Sequence, residues 1–120
     1  DHFKQCNDLY GHDAGDEVLR GVAQAMLSVL RAQDRIGRSG GEEFLLVLPD
    51  TKELQATVIA EQLRQAVELL RFHSYPDLRI SISIGLTQAG RHEQVREVIT
   101  RADSALYQAK NRGRNQVVSC

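Results

Sequence analysis

Two glycines followed by two acids, Gly40-Gly41-Glu42-Glu43, and then Phe44 make the densest group of chemistry-bearing residues in the chain. Glycines let backbone approach a ligand closely, and adjacent carboxylates offer the hard oxygen donors that Mg²⁺ takes. Taken alone, the same residues also make an ordinary hairpin turn. Three other groups carry charge at suggestive positions. Asp13 and Asp16 lie beside Gly11 and Gly15, Arg31 and Asp34 form an Arg-x-x-Asp pair shortly before Gly40, and Lys110 and Arg114 flank Gly113. By itself each has a plainer reading: a helix cap for the aspartates, surface charge for Arg-x-x-Asp, and cations complementing a helix dipole for Lys110.

These residues need elements to position them. From Asp16 to Leu30, the apolar residues Val18, Leu19, Val22, Ala23, Met26, Leu27 and Leu30 recur at helical spacing, after a Gly-rich bend over Leu9–Asp16. Asp34–Arg38 and Glu43–Leu48 read as two strands around Ser39-Gly40-Gly41-Glu42, a hairpin whose tip calls for glycine torsions. A second amphipathic helix runs from Ala56 to near Arg71. Leu78–Thr87 alternates apolar and polar residues, as a half-buried antiparallel strand does. Gln94–Lys110 forms a third helix, closed by Asn111-Arg112-Gly113, and Gln116–Ser119 a final edge strand. This order predicts an α+β fold, with helices packed on an antiparallel sheet.

Composition narrows the function classes. The chain has 120 residues, 15 Lys and Arg, 16 Asp and Glu, and a net charge of −1, so it suits one domain and no nucleic-acid partner held by excess positive charge. No apolar run approaches the roughly 18 residues that cross a bilayer. Its two cysteines, Cys6 and Cys120, lie near opposite ends, which supports free thiols in a reducing compartment rather than a disulfide or zinc framework. Cys6 falls between Lys4 and Asn7, where exposure would open it to oxidation and burial would keep it inert.

Three stretches, Asp1 to Asp16, the Gly40–Phe44 hairpin and Arg101 to Asn115, together resemble in order and spacing the GGDEF family of diguanylate cyclases, here in its GGEEF form. The resemblance runs from Asp1 to about Val118 and implies a ferredoxin-like, nucleotidyl-cyclase-type sheet with GGEEF at a hairpin tip. It implies condensation of two GTP into cyclic di-GMP with release of two pyrophosphates, dependent on Mg²⁺ or Mn²⁺. Glu42 then corresponds to a metal ligand, and Glu43 to a proton acceptor or second-metal ligand at the attacking 3′-hydroxyl. Asp16 corresponds to the acid that reads guanine, whose N1–H and N2–H₂ donors one carboxylate can accept together, with Asn7 beside it. Where related cyclases accept ATP, this position resembles a serine, so Asp16 favours GTP. Lys110 and Arg114 correspond to cations on the β- and γ-phosphates, Lys4 and the backbone around Phe3 to further phosphate contacts, and His12, Gly40 and Gly41 to the nucleotide pocket.

Arg31 and Asp34 match the family's inhibitory product site, where an arginine stacks on a purine and an aspartate accepts guanine donors. A further arginine of that site aligns with Gln62, which predicts weaker inhibition or the recruitment of Arg64 or a residue from a partner. The resemblance also implies a two-fold homodimer, a sensor or receiver domain ahead of residues 1–120, and a cytoplasmic domain, attached in some members to a membrane sensor. The family has a strand before Asp1, with a metal-binding aspartate two residues upstream. The expectation is an N-terminally truncated member, folding marginally and turning over little GTP if these residues were the whole polypeptide. A catalytically silent module that binds GTP or cyclic di-GMP as a sensor is the alternative.

Overall fold

The computed structural model describes residues 1–120. It opens on a helix that the sequence reading passed over, α1 (Phe3–Tyr10), followed by α2 (His12–Val29). The predicted bend over Leu9–Asp16 shrinks to one residue, Gly11, at φ 93°. The physical reason lies in the spacing: the four-residue step Val18, Val22, Met26 extends back to Ala14, and all four are buried on one face of α2. Asp16 is therefore not a cap, because Gly11 holds the N-cap position of α2. Cys6, in α1, is buried against this face, and burial pushes its thiol pKa up, away from the reactive thiolate.

β1 (Arg35–Gly40) and β2 (Glu43–Val47) form the expected antiparallel hairpin, with a register irregularity between Arg38 and Gly40. Neither Gly40 nor Gly41 has positive φ, so the tip does not need glycine torsions, contrary to expectation. Both are exposed, and nothing lies within 4 Å of where a side chain would start. Phe44 and Leu46 turn toward the core, while Glu43, Leu45 and Val47 face out, the alternation of a strand with one covered face. α3 (Glu53–Glu68) ends three residues before Arg71, with Leu69 as its C-cap. Its buried stripe of Ile59, Leu63 and Val67 packs against Val18, Val22 and Met26 of α2 to make the main core.

The predicted strand Leu78–Thr87 is mostly not a ladder. Only β3 (Ile84–Leu86) pairs, and it pairs in parallel with β4 (Val117–Ser119) rather than antiparallel. The connection explains the direction: α4 (Val95–Asn111) lies between the two strands, and a helical crossover returns the chain in the same sense. Leu78, Ile80 and Ile82 still pack on the core without a strand partner. The α+β class holds, but the expected single antiparallel sheet is two separate two-stranded sheets, one of each kind. No helix is long and apolar enough to cross a membrane.

Arg101 ties the loop before α4 to the helix. It donates to Thr87 Oγ1 at 2.8 Å and to the Gln88 carbonyl at 2.8 Å, and it pairs with Glu93, which also accepts the Gly90 N–H at 2.6 Å. These hydrogen bonds, first those from Arg101 and then that from Gly90, lower the Glu93 pKa to about 2. Asp34, its side chain fully buried, is also lowered, chiefly by hydrogen bonds from Arg31. A carboxylate lowered on folding stabilises the native state above its unfolded pKa and loses that contribution as pH falls toward the folded value. Urea midpoints should therefore decline as pH drops below about 4.5 toward 2. Glu93→Gln should flatten that decline, and an unchanged slope would remove Glu93 from its causes.

Candidate nucleotide and metal site

Three elements converge near Asp1. Asp1 lies near Lys110 at the end of α4, Glu42 at the hairpin tip and Arg114 just beyond Gly113. The Asp1 carboxylate accepts Ser81 Oγ at 2.8 Å, Ser83 Oγ at 2.7 Å and the Asn115 N–H at 3.1 Å. Sequence reasoning gave Asp1 no role, and no local pattern announces one, because its partners lie 80 residues or more away.

Glu42 and Glu43 are exposed at the tip, and Arg38 reaches across to donate to the Gly41 carbonyl at 2.9 Å. No three His, Cys, Asp or Glu side chains gather into a ready metal cage. Two carboxylates still fit Mg²⁺, which dehydrates reluctantly and is commonly held by one or two carboxylates together with substrate phosphates and water.

On the α2 side, Asp16, Leu19, Arg20 and Ala23 face Arg38 and Phe44 of the hairpin across a cleft of about 320 Å³. Asp16 therefore lines an open cleft between α2 and the hairpin. Leu19, Arg20 and Arg38 were not singled out from sequence. The three- and four-residue steps from Asp16 to Leu19 and Arg20 were the available signal. His12 is exposed at the first turn of α2, one turn from Asp16. Lys4 is exposed in the first turn of α1, where the leading backbone N–H groups have no helical acceptor.

Asn7 is the most telling member. Its Oδ1 is buried and has no hydrogen-bond partner. Gly15 of α2 packs against it so closely that a Cβ there would sit 1.8 Å from Asn7 Oδ1 and 3.2 Å from the Phe3 ring. Phe3, Asn7 and Gly15 thus meet between α1 and α2. Gly15→Ala should displace the flexible Asn7 side chain and weaken nucleotide binding about tenfold or more, with a small stability change. Titration with 3′-deoxy-GTP beside a melting curve checks this, and unchanged affinity would separate Asn7 from the nucleotide.

Arg31 and Asp34 are brought together, but closed on each other. Arg31 donates to both Asp34 oxygens at 2.8 and 3.1 Å and to Thr51 Oγ1 at 2.5 Å. Gln62 is exposed on α3, and Arg64 is committed to Glu61, Glu68 and Asn115.

The family model for "Diguanylate cyclase, GGDEF domain" matches residues 1–116. The chain belongs to the GGDEF family. Over 119 residues, this GGDEF domain is 44% identical to diguanylate cyclase DgcM of Escherichia coli strain K12, matching 99% of this chain and 28% of that one. Among solved structures, it resembles diguanylate cyclase SiaD of Pseudomonas aeruginosa, solved with its activator SiaC. That match has a TM-score of 0.95 and 43% identity, over 100% of this chain and 46% of SiaD. It also resembles the active GGEEF domain of a Vibrio cholerae diguanylate cyclase, with a TM-score of 0.91 and 38% identity, over 99% of this chain and 76% of that one. The GGDEF domain thus spans just over a quarter of the curated relative's length. The GGEEF spelling at 40–44 is itself found in a domain described as active.

Proposed function

We propose that this GGDEF domain is the catalytic part of a diguanylate cyclase, joining two GTP into cyclic di-GMP with release of two pyrophosphates. The observation that supports it most is that Glu42 of the hairpin and Lys110 and Arg114 at the end of α4 all lie near Asp1. In each half-reaction, the 3′-oxygen of one GTP bonds to the α-phosphorus of the other. The bond from that phosphorus to the bridging oxygen breaks, pyrophosphate leaves, and the hydroxyl proton is taken up.

The residues divide this work. Asp16 accepts the guanine N1–H and N2–H₂, and Asn7 takes a second base or sugar contact through its free oxygen. Phe3, through its backbone, and Lys4 meet phosphate at the start of α1, with His12, Gly40 and Gly41 lining the nucleotide's path. Lys110 and Arg114 hold the β- and γ-phosphates and offset charge on the leaving pyrophosphate. Glu42 and Glu43 would hold a divalent ion, Mg²⁺ or Mn²⁺, which when bound neutralises triphosphate charge. Glu43 also stands as acceptor for the 3′-hydroxyl proton.

One domain presents one GTP and the product needs two, so two copies face each other as a homodimer. Sensor or receiver domains elsewhere in the full protein would set that geometry, and the domain would work in the cytoplasm, free or attached to a membrane sensor. Cyclic di-GMP would inhibit at Arg31 and Asp34 by prising open their mutual pair, and Gln62 in place of an arginine would keep that inhibition weak.

Incubation of the full protein with GTP and Mg²⁺, followed by chromatography, tests the reading. Cyclic di-GMP with two equivalents of pyrophosphate is the expected product. Binding of GTP or cyclic di-GMP with no product would replace the enzyme by a sensor.

A further inference from the structure

Three consecutive residues, Gly113, Arg114 and Asn115, have φ of 112°, 64° and 48°. For a residue with a side chain, the left-handed region is unfavourable, more so for arginine than for asparagine, whose short polar side chain tolerates it. Such a run persists only where surrounding bonds over-determine it. Here the Arg114 N–H closes on the Ala109 carbonyl at 3.0 Å, and Gln116 Nε2 donates to the Arg112 and Arg114 carbonyls at 3.0 and 3.1 Å.

Asn115 carries the long-range restraint. Its Oδ1 accepts Arg64 Nη1 at 2.9 Å, its Nδ2 donates to Glu68, and its N–H donates to Asp1 Oδ2. Arg64 lies on α3, and only 14% of its side chain is exposed. Its pairs with Glu61 and Glu68 are intrahelical contacts of a kind that stabilise little. The bond to Asn115 differs, because it fastens the C-terminal part of α3 to the turn that carries Arg114.

We infer that Arg64 and Asn115 are positioning residues for the triphosphate: together they hold the left-handed turn that points Arg114 at the nucleotide, and neither touches it. The inference rests on the reading of Arg114 as a phosphate-binding cation. A cation on a loose turn still attracts phosphate, but holding it in one direction removes the ordering cost that binding would otherwise carry.

The test measures binding of 3′-deoxy-GTP with Mg²⁺ to the full protein by calorimetry, with GTP kinetics and melting curves alongside. This analogue lacks the attacking hydroxyl, so it binds without turnover. Arg64→Met should weaken its binding about tenfold, or about 1.4 kcal/mol, and raise KM for GTP more than it lowers kcat. Asn115→Gly keeps the left-handed backbone while removing the side chain that Arg64 holds, and it should weaken binding as much. If Arg64→Met unfolds the protein, this variant decides by the same criterion.

In an Arg114→Ala background, neither change should weaken binding further, because residues acting through Arg114 are silent without it. Equal weakening in both backgrounds, or unchanged binding in Asn115→Gly, overturns the inference. If the unaltered protein does not bind 3′-deoxy-GTP, the nucleotide reading fails first and the inference with it. If the unaltered protein binds and Arg114→Ala binds as well as it does, the phosphate role of Arg114 fails and the inference with it, while the nucleotide reading stands.

Discussion

Replacing Glu43 by glutamine is expected to lower cyclic di-GMP formation by about a thousandfold while leaving the fold intact. Glu43 is exposed, opens β2 opposite Gly40, and makes no ion pair or side-chain hydrogen bond, so an isosteric amide removes nothing that stabilises the domain. Chemistry is a different matter, because a neutral amide neither accepts the 3′-hydroxyl proton nor supplies a negative metal ligand. A positioned general base commonly contributes about 10² to 10⁴ in rate.

Binding of 3′-deoxy-GTP separates the two roles. If Glu43 takes the proton, affinity and its Mg²⁺ dependence stay as they were while turnover vanishes. If Glu43 ligates metal, the Mg²⁺ concentration needed for binding rises. Retained turnover in Glu43→Gln would reduce the hairpin acid to an ordinary turn residue and end the catalytic reading of the tip.

Gly85→Ala is expected to cost on the order of 4 kcal/mol, enough to unfold much of a marginally stable domain. Gly85 is the middle residue of β3, paired with Val118 of β4. A Cβ there would meet the Ala102 carbonyl oxygen at 2.2 Å and the Leu106 nitrogen at 2.3 Å, both backbone atoms of α4. A side chain in the way could rotate aside, but helix backbone cannot. The whole helix would have to lift from the sheet, opening the small core of Ala105, Ala109 and Val118. Lys110 is in the last turn of the same helix, so the displacement also reaches the proposed phosphate-binding cations. A urea titration with circular dichroism reads the loss directly, and a midpoint within error of the parent's would show that α4 can yield. The contrast with Gly15→Ala is instructive, since there the obstacle is the movable end of Asn7 and the damage falls on binding.

Much of the site was legible because its members sit in local patterns. GGEEF marks the hairpin by itself, and the helical steps of α2, α3 and α4 are strong enough to survive context, since each buries an apolar stripe. α1 was missed although Phe3, Cys6 and Tyr10 stand three and four residues apart, because the glycines that follow drew the reading toward a bend. Leu78–Thr87 failed for the opposite reason. Its alternation reports one covered face, and Ile80, Ile82 and Ile84 do lie on the core, but alternation says nothing of which strand lies alongside or in which direction.

The sequence by itself determined the α+β class, the family, the hairpin that carries Glu42 and Glu43, and the helix that carries Lys110 in its last turn and leads to Arg114. The elements follow from spacing within a few residues, where the chain's own geometry sets which side chains share a face, and the family follows from the resemblance of three motifs in order. Only the tertiary structure decided that β3 and β4 run parallel, that Asn7 holds a buried oxygen without a partner, and that Arg31 is closed upon Asp34. It alone joined Arg64 to Asn115 across 51 residues, and Asp1 to Asn115 across 114. Contacts of that span depend on how packed layers bring distant segments together, and no local period in the chain records the distance between them.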